Sequence, residues 1–194
     1  VGGILDGIAD TDEKKKKYLL AVQTRTKDLE NLVNQLSSYN KMENHTFNYQ
    51  KEQTDLKEFV REYLEDNEAF ISEHGLDILL SAEDNIKLVM DRGAFKRILD
   101  NLLTNSIRYR EKERSRIEIR IQKKEGRIIW SVADDGSGVE ENCLEKIFES
   151  FCRLDAARSH CSEGSGLGLA IVKRIVIDHQ GMIYARDNAG LEIC

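Results

Sequence analysis

A chain of 194 residues is long enough for one domain of ordinary size with an appendage. Charged residues make up 33% and the net charge is −6, which excludes a general nucleic-acid binder because neutralising phosphates needs a cationic excess. Cys143, Cys152, Cys161 and Cys194 lack the CxxC spacing of a zinc site and are too few to staple the chain, so they read as free thiols. No apolar run reaches the length of a membrane span, and no signal peptide is visible. The chain starts at Val1 and contains no proline, and it is expected to be a piece of a longer protein.

Residues 1–9 read as the end of a helix too glycine-rich to stand alone. Residues 14–43 carry Val22, Leu29, Leu32, Leu36 and Tyr39 in a three-four alternation that Arg25 interrupts, the pattern of a bundle or coiled-coil helix. An isolated helix cannot bury such a stripe, so a helical hairpin that pairs with a second copy is expected. Residues 44–54, polar with Phe47 and Tyr49 alternating, read as an edge strand or linker, and the domain boundary is placed between residues 45 and 46.

Leu56, Phe59, Val60, Tyr63, Leu64, Phe70 and Ile71 predict one amphipathic helix over 55–74, closed by Gly75 as its C-cap. The apolar runs 76–80 and 86–90 are expected to pair as strands, and Asp91 to cap the next helix. That helix buries Phe95, Ile98, Leu99, Leu102, Leu103 and Ile107, and presents Asn101, Asn105 and Arg108 on another side. Alternating residues at 116–122 and 127–132 flank Glu125-Gly126 and predict a hairpin. A short helix at 143–148, a mobile polar stretch at 155–163 and an apolar helix at 167–178 follow. Residues 182–185 and 191–193 close the sheet, with 188–194 read as a last strand that leaves an edge unpaired or a frayed tail. Helices segregated on one face of a mixed sheet make an α+β fold, a two-layer α/β sandwich.

Two glycine-rich loops stand out, Asp134-Asp-Gly-Ser-Gly138 and Gly164-Ser-Gly-Leu-Gly168. Glycines at alternate positions let backbone approach a ligand closely, and N–H groups ahead of a helix suit phosphate. Two such loops downstream of an Asn-bearing helix, in this order, resemble the catalytic region of sensor histidine kinases, within the wider ATPase group that includes gyrase, heat-shock chaperone and mismatch-repair ATPases. Residues 101–109 match the N box, 134–138 the G1 box, 148–151 the F box and 164–168 the G2 box. The resemblance runs through nearly the whole chain. It implies a Bergerat-type ATP-binding fold over 46–194, and over 1–45 part of the dimerising, histidine-phosphotransfer hairpin.

The resemblance also implies roles. Asn105 would ligate Mg2+ and Asp134 would accept from the exocyclic amine of adenine, with Gly136 and Gly138 shaping its loop. Tyr109 would stack on the base, and Arg108, where the family often has lysine, would reach the phosphates. Phe148 and Phe151 would anchor the lid by burial, with Arg153 on the phosphates. Gly164, Gly166, Leu167 and Gly168 would offer backbone N–H groups. Hydrolytic relatives carry a general-base glutamate where this chain has Asn101, a residue without useful basicity, so transfer to a protein side chain is expected over hydrolysis. Ser106 stands in place of a common alanine, a small-for-small change.

The family's acceptor histidine precedes a glutamate. None of His45, His74, His160 and His179 does, so the acceptor is expected upstream of Val1 and self-phosphorylation is not. The implied partners are ATP, a response-regulator receiver domain and a second copy of the chain. The implied location is the cytoplasmic part of a membrane-anchored parent. Two other readings stand beside this one: a serine kinase or ATPase of the same fold, and a non-catalytic dimeric scaffold.

Overall fold

A computed structural model describes residues 11–44, 47–152 and 165–194, without the side chains of Asp28 and Asn31. The expectations for residues 1–9, 155–163, Arg153 and Gly164 lie outside the described residues. The chain divides into two compact units, Val1–Phe47 and Asn48–Cys194.

The first unit contains α1 (Asp12–Glu43), 32 residues long and so about 48 Å from end to end. Thr11 caps it, its hydroxyl accepting from the Lys14 N–H at 3.3 Å, and Asp12 and Glu13 add acid to the first turn, where the helix dipole favours it. Leu29, Leu32 and Leu36 of the expected stripe are exposed in the single chain, as are Leu19, Leu20 and Val33. No helix among the described residues is long and apolar enough to cross a membrane.

In the second unit β1 (Lys51–Asp55) pairs antiparallel with β3 (Lys87–Asp91) as a two-stranded sheet. The main sheet has five strands in the order β2 (Leu76–Ala82), β4 (Ser115–Lys124), β5 (Arg127–Asp134), β7 (Leu191–Ile193), β6 (Ala185–Asp187). Only β2 and β4 run parallel, so the sheet is mixed. The expected pairing of 76–80 with 86–90 is therefore wrong. Each run has another partner: β2 lies along β4, and β3 lies along β1. The two strands of the small sheet each end in an aspartate that caps a helix. Asp55 accepts from the Lys57 and Glu58 N–H groups at the start of α2 (Leu56–Asp66), and Asp91 from the Ala94 N–H at the start of α4 (Arg92–Arg108).

The helix expected over 55–74 is two, α2 and α3 (Glu68–Glu73). Asn67 divides them: its side-chain amide donates to the Tyr63 carbonyl at 2.8 Å, the same carbonyl that its backbone N–H reaches at 3.2 Å. Gly75 follows with φ +64°, a left-handed conformation suited to glycine at a helix end. The hairpin of β4 and β5 turns at Glu125 and Gly126, both with positive φ, which matches the strands' right-handed twist. The expected helix at 143–148 is two 3₁₀ turns, Glu141–Cys143 and Lys146–Phe148.

β4 alternates, burying Ser115, Ile117, Ile119 and Ile121. Phe59 and Phe95 bring α2 and α4 against Trp130 of β5, with ring centroids 6.3 and 5.6 Å apart. Leu99 and Leu103 of α4 and Ile171 and Ile175 of α5 (Gly168–Asp178) are fully buried where these two helices pack. Each such side chain contributes about 1.5–3 kcal/mol by leaving water. The final strand differs from expectation: β7 pairs with β5 on one side and β6 on the other, so it is interior, and the edge falls to β6 at 185–187.

Candidate functional site

The C-terminal half of α4 supplies the first wall. Asn101 is buried at 9% exposure and its Nδ2 donates to the Arg97 carbonyl at 2.7 Å, which fixes the carboxamide and leaves Oδ1 pointing elsewhere. Oδ1 faces Gly168: a Cβ on that glycine would lie 2.9 Å from it. One turn on, Asn105 Oδ1 accepts from Arg108 Nη1 at 3.5 Å, a long contact. Tyr109 ends the helix with its ring 39% exposed, so this aromatic is not core.

The loop after β5 folds back on that helix end. The Ser137 N–H donates to the Tyr109 carbonyl at 3.3 Å, and a Cβ on Gly136 would sit 3.0 Å from the same oxygen. A side chain at 136 would oblige the Tyr109 carbonyl or the Asp134 carboxylate to give way. The two aspartates of the loop divide their work. Asp135 accepts from the Arg116 N–H and from Lys112 Nζ, pinning the loop to β4. Asp134 takes neutral donors: Oδ1 accepts from the Gly136 and Leu191 N–H groups at 3.0 and 3.3 Å, and Oδ2 from the Ser106 hydroxyl at 3.0 Å. Gly138, at φ +68°, closes the loop beside Asp187, whose Oδ1 would be 3.1 Å from a Cβ there.

The second wall is the start of α5. Leu167 occupies the N-cap position and has no side chain to accept from the first turn, while the Leu167 N–H itself donates to Ser165 Oγ at 3.1 Å. Among the described residues the first turn of α5 thus carries donors without a side-chain cap, the arrangement that favours an anion. Gly166, at φ +67°, lies against Phe151, whose backbone a Cβ would approach to 2.8 Å, and its carbonyl accepts from the Phe151 N–H at 2.9 Å.

Phe148 is buried as expected, but Phe151 is 63% exposed, which corrects the expectation that both anchor by burial. The Phe151 backbone is left-handed, with φ +64°, and is tied to Gly166, so it is the backbone that packs and the ring that turns out. Sequence reasoning missed Ser106, Ser165 and the Leu191 N–H as site-forming groups. For Ser106 the only sequence signal is a serine between Asn105 and Ile107 in the N-box segment; that it is 3% exposed and so needs a partner comes from the fold.

Cys143, Cys152 and Cys194 are free thiols, and burial pushes the Cys152 and Cys194 thiols up, away from reactivity. Both described outlying histidines are used structurally. His74 Nδ1 bonds the Phe70 carbonyl at 2.9 Å, and His179 Nδ1 bonds the Ile175 carbonyl at 2.7 Å.

A held carboxylate, a helix start and two carboxamides are thus collected on one α+β sandwich. Residues 90–193 match the family described as histidine kinase-, DNA gyrase B-, and HSP90-like ATPase, and the chain belongs to that family. It is 29% identical over 187 residues to the sensor protein kinase WalK of Staphylococcus haemolyticus, a match covering 95% of this chain and 30% of that relative. The chain therefore spans less than a third of the relative's length. Among solved structures it superposes on full-length ShkA in complex with AMPPNP with TM-score 0.77 and 25% identity, over 94% of this chain and 38% of that one. It shares its fold with histidine kinase ThkA, solved in complex with response regulator protein TrrA, at TM-score 0.75 and 23% identity, over 99% of this chain and 54% of that one.

Proposed function

We propose that this chain is the ATP-binding catalytic core of a two-component sensor histidine kinase. The observation that carries the reading is the meeting of Asn101 with Gly168, which sets the carboxamide face of α4 against the donor-bearing start of α5. Those are the first and last of the four sequence motifs, brought together by packing between α4 and α5.

In this reading Asp134 accepts from the adenine amine, and the exposed Tyr109 ring lies against the base. The N–H groups of the glycine loop and of the first turn of α5 receive the phosphates, joined by Arg108 and Arg153. Among the described residues no cluster of three His, Cys, Asp or Glu side chains offers to hold a metal. The donors present fit Mg2+ that arrives with the nucleotide: Asn105 would give one oxygen, and phosphates and water the rest, neutralising charge on the phosphates. Asn101 cannot take a proton from water, so the site aligns the γ-phosphate for a protein nucleophile instead of hydrolysing it.

That nucleophile is a histidine outside this chain's residues, because His74 and His179 are engaged structurally and none of the four histidines precedes a glutamate. From there the phosphate passes to a response-regulator aspartate. The exposed leucines of α1 support a homodimer built on helix packing. The parent protein is membrane-anchored in this reading, with this part in the cytoplasm.

Incubation with γ-labelled ATP tests the assignment. The expected result is slow release of inorganic phosphate and no acid-labile phosphate on the chain. Fast turnover would favour an ATPase of the same fold, and acid-labile label on the chain would place the acceptor within it.

A further inference from the structure

Asp134 has four lone-pair directions, and among the described residues three are occupied. Two backbone N–H groups hold Oδ1 and the Ser106 hydroxyl holds one side of Oδ2. A single direction on Oδ2 is left for a ligand. Ser106 is 3% exposed and its Oγ lies 3.0 Å from Asp134 Oδ2 and 3.1 Å from the Leu102 carbonyl. The one hydroxyl proton can go to either, and a carboxylate is a stronger acceptor than a carbonyl. With the proton on that side, Oδ2 is an acceptor of fixed direction; turned to Leu102, Ser106 would set a bare oxygen against the carboxylate.

We propose that Ser106 is a specificity-determining positioning residue, holding Asp134 as an oriented acceptor that selects a 6-amino purine over a 6-oxo purine. This rests on the reading of Asp134 as the purine contact. An amine gives its proton to Oδ2, whereas an oxo group places a second acceptor against it and leaves both unpaired. Without the Ser106 hydroxyl the carboxylate turns more freely about its Cβ–Cγ bond, and Oδ2 tolerates water or a displaced base. Serine here is therefore not equivalent to alanine, although both are small.

The test is calorimetric binding of ATP and ITP, with magnesium, to the chain and to Ser106→Ala, Ser106→Cys and Asp134→Asn, each checked for folding by circular dichroism. The ATP-to-ITP affinity ratio should fall about five- to tenfold in Ser106→Ala, the scale of one ordinary hydrogen bond. Ser106→Cys fills the volume with a weak donor, should lower the ratio similarly, and replaces the alanine variant if that fails to fold. A ratio unchanged in the folded serine variants but lost in Asp134→Asn would overturn the role of Ser106 alone. A ratio unchanged in Asp134→Asn would overturn the reading of Asp134, and this inference with it.

Discussion

Gly190 lies so close to Asp134 that a Cβ on it would stand 1.9 Å from the Asp134 carbonyl oxygen. With φ at +147° the position also excludes ordinary side chains. The turn between β6 and β7 thus presses on the strand end that carries the candidate purine contact, and the neighbouring Leu191 N–H reaches the Asp134 carboxylate. Gly190→Ala is expected to destabilise the domain by about 2–4 kcal/mol, combining backbone strain and overpacking. Urea unfolding followed by the fluorescence of Trp130, the chain's one tryptophan, measures this.

Gly168→Ala separates binding from stability. Gly168 is the first residue of α5, so alanine there changes helix propensity little, yet its Cβ would be 2.9 Å from Asn101 Oδ1. Asn101 is held by its bond to Arg97, so it cannot give way without losing that bond. The expected outcome is a melting temperature within a few degrees of the parent, with ATP affinity weakened about tenfold or more, read by calorimetry.

His179 gives the domain a pH dependence. Its ring stands edge-on to Tyr49 and to Phe95 at 4.9 and 5.1 Å, and its Nε2 accepts from the Asp91 N–H at 3.2 Å. Burial holds the imidazole below its ordinary value of 6.5, against the raising influence of the Ile175 carbonyl; Lys51 lowers it further, and Asp91 and Asp178 raise it. A depressed folded-state value means that the unfolded chain binds the proton more readily. Stability is therefore full above about pH 6.5 and declines as pH falls through the lower folded value. Urea midpoints at pH 7.5 and 5.5 should show this decline, and His179→Gln should make it shallower despite a lower midpoint at both.

The hairpin of β4 and β5 and the helix α4 were legible because their periodicities are long and their ends are marked, by Glu125-Gly126 in one case and Asp91 in the other. The partners of β2 and β3 were not. Both are short apolar runs, and neighbours in sequence are the natural first choice, but the Asp55 and Asp91 caps come from strands that pair with each other. The break at Asn67 depends on one side-chain amide choosing the Tyr63 carbonyl, a competition that hydrophobic periodicity does not register. At the site, residue types and loop order were legible enough to point to the family whose model matches residues 90–193. What was not legible is how residues far apart in the chain divide the work: Ser106 and Leu191 on Asp134, or Lys112 and Arg116 on Asp135. Those contacts arise from tertiary approach.

In the proposed reading α4, the Asp134 loop and the start of α5 together bind ATP. Calorimetry of ATP, ADP and GTP with magnesium, on the chain and on Asp134→Asn and Asn105→Ala, tests it most directly. The expected result is adenine-selective binding that loses its selectivity in Asp134→Asn and its magnesium dependence in Asn105→Ala. Absence of nucleotide binding by the folded, unsubstituted chain would contradict it and favour a non-catalytic scaffold.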